Sequence, residues 1–208
     1  MGVLTKTLKY SSFKYNLKTK NRRDTVKSIV LMVAMDIEIP DSYQKNQGKL
    51  IVSGFGPQNA SQAMRKLLSQ SRPDFIVFTG FCAFVDDNLK TGDIIVANGY
   101  KSEFGEEIIS KPEPQILKKL EKKIYFTQGK FQSFSHFVEE RKIVAPDITA
   151  VDMETFDWAR EATFSKIPFI TVKVCCDLIP PRENEVYPIF PRAKPFLNLV
   201  WQELVKLI

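Results

Sequence analysis

The chain has 208 residues, enough for one α/β-sized domain and cramped for two. Hydrophobic residues make up 44% and charged ones 26%, with 9 Gly and 12 Pro, a globular balance that excludes collagen-like, low-complexity and wholly disordered chains. The net charge of +6 is unevenly placed: residues 1–27 carry eight Lys or Arg against Asp24 alone, a net +7, so the rest sits near −1 and offers no body-wide surface for nucleic acid.

Residues 1–27 read as a basic N-terminal arm, and residues 28–208 as one domain. The weak alternation of Val3, Leu4, Leu8, Tyr10, Phe13 and Tyr15 leaves open one or two edge strands or a tail. The run SIVLMVAM, 28–35, is continuously apolar and β-branched, the pattern of a strand buried on both faces. A second strand, KLIVSG, runs into Gly54, Gly56 and Pro57. Ala60, Ala63, Met64, Leu67 and Leu68 then recur at helical spacing until Arg72 and Pro73. DFIVFTGF is a third strand, GDIIVANGY a fourth, PEPQILKKLEKK a helix and IYFTQG a fifth strand. A polar helix is expected over 133–142 and another over 152–165, followed by the strand PFITVKVCC and a proline-rich loop over 179–195. A terminal helix should turn Phe196, Leu199, Val200, Leu204 and Leu207 to one face. Strands alternating with helices predict a single-domain three-layer α/β sandwich, with helices on both sides of a mixed, mostly parallel sheet and ligands at the strand carboxyl ends.

Three cysteines, two of them adjacent, make no disulfide framework and fit a reducing compartment. His136 is the single histidine and no CxxC pair exists, which argues against a zinc hydrolase and a Ser-His-Asp mechanism; no metal or cofactor is implied. Neither an 18-residue apolar run nor a secretory apolar stretch is present, so a cytoplasmic location is expected.

Acidic residues just past apolar strands stand where α/β ligands gather. Glu38 follows SIVLMVAM, Asp177 follows ITVKVCC, and Glu154 opens a helix in AVDMET. Each also suits a bland role: Glu154 a first-turn helix acid, Asp177 a turn residue, Glu38 a solvated loop charge.

Taken together, six segments resemble the purine nucleoside and uridine phosphorylase family, and within it the methylthioadenosine/S-adenosylhomocysteine nucleosidases. In order they are AMDIE, SGFGPQNA, PDFIVFTG, LKTGDIIVA, VDMET and IPFITVKVCCD, running from about Ile29 to Leu178. The VDMET form and the chain length also resemble the hopanoid-associated branch. The resemblance implies that Asp177 protonates the leaving purine, Glu154 beside Met153 accepts hydrogen bonds from the ribose, and Glu38 orients or deprotonates water. Such chemistry suits an oxocarbenium-like sugar leaving an anionic base. The resemblance places Gly54, Gly80 and Lys173 in the substrate site and offers Phe131 and Phe134 as purine-stacking candidates, although ordinary core packing suits both.

Departures from the family pattern sharpen the expectation. A small-residue loop carrying a serine is GFCAF here, with Phe81 at the serine position. Lys173 stands for an arginine and Cys176 for a serine. Lys173 keeps the charge without the bidentate fork, and no arginine-bearing glycine loop supplies a phosphate cradle. Hydrolysis of an adenosine-type nucleoside is therefore the expected reaction. The alternatives are phosphorolysis, including that of a lipid-linked adenosine, and nucleoside binding without turnover. The resemblance also implies a homodimer, and the arm's charge suggests peripheral contact with an anionic membrane.

Overall fold

The computed structural model describes residues 28–110, 112–180 and 190–207; the expectations for the 1–27 arm and for most of the proline-rich loop fall outside them. Strand β1, Ile29–Val33, is buried along nearly its whole length, as its unbroken apolar run requires. After β2, Lys49–Val52, the helix α1, Pro57–Gln70, opens on a proline whose missing N–H costs nothing in the first turn; it turns Ala60, Met64 and Leu67 inward. Strands β3, Phe75–Phe84, β4, Ile94–Ser102, and the two-residue β5, Glu107–Ile108, follow, then helix α2, Pro114–Leu120. The chain continues through β6, Thr127–Ser133, β7, Ala150–Asp152, helix α3, Thr155–Phe164, and β8, Phe169–Leu178, to helix α4, Phe190–Leu207.

The strands form one mixed sheet in the order β2-β1-β3-β7-β6-β4-β5, with β8 bridging β3 and β4. The path β3-β7-β6-β4-β8-β3 therefore returns on itself, giving the sheet a barrel-like closure. On one edge β3 is shared. Its first half, Phe75–Phe78, pairs with β1, and Ala83 and Phe84 pair with β7. The stretch between them opens towards the turn that follows β1.

The layers follow from strand alternation. Leu31, Val33, Val77, Val96 and Val172 meet Ile116 and Leu120 of α2 and Leu197, Val200, Trp201 and Leu204 of α4. From the opposite face Met32, Ile76 and Phe78 meet Met64 and Leu67 of α1 and Trp158 and Ala162 of α3. The three-layer α/β sandwich is the architecture found.

Several local expectations are corrected. No helix forms over 133–142, where a single 3-10 turn, Arg141–Ile143, is present. The amides there find partners elsewhere: Phe134 N donates to Asp152 O, and Ser135 N and Oγ donate to Glu103 Oε2. The GFCAF segment is strand, since β8 pairs with it to Phe84 across a register shift after Cys82. Helix α4 begins at Phe190, five residues before Pro195, and its buried face is Ala193, Leu197, Val200, Trp201 and Leu204; Phe196 and Leu199 face outward. Strands β5 and β7 were too short to read from periodicity. No helix among the described residues is long and apolar enough to cross a membrane.

Candidate active site

Glu38 lies in the short turn Asp36–Glu38 after β1 and is 2% exposed. Its Oε2 accepts hydrogen bonds from Ala34 N at 2.7 Å and Met35 N at 3.0 Å, and its Oε1 accepts one from Phe81 N at 2.7 Å. A carboxylate has about four acceptor positions, so three amides leave room for one further donor. The edge of β3 left between β1 and β7 supplies the Phe81 amide. Gly80 makes the seat: a Cβ there would stand 2.3 Å from Glu38 Oε1, and its φ of 136° disfavours any side chain.

Glu154 occupies a second seat, one residue before α3. It is 5% exposed, and its Oε1 accepts from Gly56 N at 2.8 Å. Gly56, with φ of 92°, starts α1 and can present its N–H there because it bends left-handed. On the other side stands Lys173, fully buried in β8, with Nζ 3.0 Å from Asp152 Oδ2 and 3.9 Å from Glu154 Oε2. The ammonium also lies 3.4 Å from Phe81 O and 5.0 Å from the centroid of the Trp158 ring. Burial pushes the Glu154 carboxyl up from 4.5 to about 7, with Lys173 pulling it down and Asp152 and Glu38 pushing it up. For Lys173 burial acts first and lowers, but the surrounding Asp152, Glu38 and Glu154 outweigh it and hold the ammonium well above its usual range.

Asp177 lies near the carboxyl end of β8, half-buried, with Oδ2 accepting from Cys176 Sγ at 2.8 Å. Burial, with the neighbouring Asp177 charge, pushes the Cys176 thiol up, so it stays protonated as a donor.

The structure thus brings Glu38, Gly80, Lys173 and Glu154 together at one end of the sheet. Phe81 joins them only through its backbone: its ring packs into the core against Phe190, with centroids 5.2 Å apart. Phe131 is fully buried among Phe84, Tyr100 and Phe156 and is a core residue. Phe134 is also buried, but beside Ile179, two residues past Asp177. Met153 is half-buried next to Glu154. Gly54 is left-handed, with φ of 80°, but the glycine whose amide meets Glu154 is Gly56. Asp152 was missed in sequence, because an acid one residue before a conspicuous Met-Glu pair carries no distinct signal.

A family model of the phosphorylase superfamily matches residues 42–197, which include Gly56, Gly80, Glu154, Lys173 and Asp177. The chain belongs to the phosphorylase superfamily. Glu38 lies just ahead of the matched stretch, so its place rests on the geometry above. The 5′-methylthioadenosine/S-adenosylhomocysteine nucleosidase of Buchnera aphidicola is 26% identical over 192 residues, 80% of either chain. The Streptococcus pneumoniae nucleosidase in complex with 8-aminoadenine superposes with a TM-score of 0.72 at 16% identity, covering 87% of this chain and 100% of the other. The Neisseria meningitidis nucleosidase in complex with methylthio-immucillin-A gives 0.70 at 19% identity, over 88% and 100%. Superfamily membership explains why the segments from SGFGPQNA to IPFITVKVCCD fall in one order along the chain.

Proposed function

We propose that the protein hydrolyses the N-glycosidic bond of an adenosine-type purine nucleoside. The observation that carries this reading is the pair of buried glutamates, Glu38 and Glu154, arranged around one buried ammonium, with Asp177 near the end of the strand that bears it. The nucleosidase relatives named above agree with it. In this reading Asp177 donates a proton to the leaving purine. Glu154 accepts hydrogen bonds from ribose hydroxyls as positive charge develops on the sugar. Glu38 uses its remaining acceptor position to orient the attacking water. Water is favoured over phosphate because Lys173, the cation facing these carboxylates among the described residues, is paired with Asp152. A dianion needs several uncommitted donors.

The test is adenine release from methylthioadenosine, S-adenosylhomocysteine and adenosine by the wild type and Asp177→Asn. The wild type should release base and the near-isosteric variant should lose at least about 100-fold in kcat, the usual scale for a missing general acid. Full turnover by Asp177→Asn overturns the assignment. Absence of release from every substrate, with a nucleoside raising Tm, favours a binding protein.

A homodimer is part of the proposal. Phe104 and Phe137, 84% and 81% exposed, are sequence neighbours of the Glu103–Ser135 contact and offer two exposed rings suited to a partner surface. Sedimentation velocity should give a dimer that Phe104→Ser with Phe137→Ser weakens; a wild-type monomer refutes it.

A further inference from the structure

The two oxygens of Asp152 do separate jobs. Its Oδ1 accepts from Ser133 Oγ at 2.7 Å, Thr155 N at 3.1 Å and Glu154 N at 3.3 Å, fastening β6 and the start of α3 to the end of β7. Its Oδ2 faces Lys173 Nζ at 3.0 Å and accepts from Thr155 Oγ1. The first oxygen is a helix cap and a strand clasp. The second takes the Thr155 hydroxyl and the closest contact with a fully buried ammonium.

One cation therefore stands between two buried carboxylates and favours one of them. At 3.9 Å, Glu154 Oε2 is beyond hydrogen-bond reach of Lys173, whereas Asp152 is within it. The groups facing Glu154 are Lys173 from β8, Asp152 from β7, Glu38 from the turn after β1 and the Gly56 amide at the start of α1. Asp157, on the same helix, is turned to Ser61 and Arg160. Without the Asp152 charge, the ammonium would be left to the fields of Glu38 and Glu154, and of these two Glu154, at 3.9 Å, is the one within ion-pair distance.

We propose that Asp152 is a positioning residue that holds the Lys173 ammonium off Glu154, leaving the Glu154 carboxyl able to exchange its hydrogen-bond partners. What Glu154 exchanges them with, a ribose, rests on the function proposed above; the division of the ammonium between two carboxylates does not. Neutralising Asp152 removes a charge that disfavours ionised Glu154 and releases a cation that favours it, so both effects tie Glu154 to Lys173 as a carboxylate.

Asp152→Asn tests this in the full chain, because its amide oxygen can keep the Oδ1 contacts while its amide nitrogen cannot accept from Lys173. Trp158, whose ring lies beside the ammonium, reports the charge state through its emission. The transition is assigned to Glu154 by its loss in Glu154→Gln. The wild-type midpoint is expected near pH 7. In Asp152→Asn it should fall by about one pH unit or more, the scale on which a nearby charge moves a buried carboxyl. Ser133→Ala disturbs only the Oδ1 side and should leave the midpoint in place. An unchanged midpoint in Asp152→Asn, or an equal fall in Ser133→Ala, overturns the proposal. Should Asp152→Asn melt before the scan is complete, Lys173→Met carries the test with opposite sign: its midpoint must rise, and one that stays or falls overturns the proposal. Where the wild type releases base, Asp152→Asn should raise KM more than it lowers kcat and move the acid limb of kcat/KM downward in pH. A wild type that releases no base refutes the nucleosidase reading, while the emission midpoint still decides the role of Asp152.

Discussion

Glu38 and Glu154 are buried glutamates in one site, and they are held by opposite means. Three backbone amides fix Glu38 through both oxygens, and the Cβ-free space at Gly80 gives its carboxylate room. Glu154 has one amide and, on its other side, an ammonium that belongs more closely to Asp152. A carboxylate held by amides is fixed in direction, because the strand edge and turn that present those amides are part of the fold. A carboxylate held between charges is adjustable, and its protonation is set by side chains that can be changed one at a time. That division suits a reaction in which one group must hold a small nucleophile in place and another must follow a sugar whose charge changes.

The contrast is broken most severely at Gly80. In Gly80→Ala the new methyl would stand where Glu38 Oε1 lies, on a backbone that disfavours side chains. Expelling Glu38 leaves the amides of Ala34, Met35 and Phe81 without their acceptor, at about 1–3 kcal/mol for each that stays buried and unpaired. Gly80→Ala should therefore lose several kcal/mol in a urea melt together with its activity. A variant as stable and active as the wild type would show that the Glu38 seat is not built as described.

Glu154→Gln sharpens the other half of the contrast, with a smaller effect confined to a pH window. The folded chain keeps the Glu154 proton to about 7, whereas the unfolded chain releases it near 4.5. Between these values the folded state binds more protons, so wild-type stability should fall as pH rises, by up to about 3 kcal/mol relative to the variant. Denaturant melts at pH 4.5 and 7.5 measure this. Equal slopes in wild type and Glu154→Gln would place Glu154 in a solvated rather than a buried seat.

How much of this was legible in the sequence follows the same physical lines. The unbroken apolar run 29–33 announces a strand buried on both faces, and the largely apolar run 169–176 does so with Thr171 and Lys173 buried within it. The carboxylates after them could be singled out because loops at strand carboxyl ends are where α/β folds expose function. Backbone donors leave no such trace. Phe81 stands at the family's serine position in the sequence, but its ring lies in the core and it is its amide that holds Glu38. Gly54 and Gly56 are alike in the sequence, and only the start of α1 shows which one faces Glu154. Over 133–142, Phe134, Phe137 and Val138 have helical spacing, but Asp152 and Glu103 capture the first amides that a helix would need. Asp152 itself is defined by Lys173, 21 positions away, and no local pattern could link them.

The most direct test of the central claim is the fate of the sugar. Methylthioadenosine is incubated with the wild-type full chain in the absence of phosphate and at a saturating phosphate concentration, and the sugar product is identified by mass. Hydrolysis at this site predicts free methylthioribose and adenine in equal amounts under both conditions, with no dependence of rate on phosphate. Release that requires phosphate, with the sugar recovered as its 1-phosphate, would contradict the account.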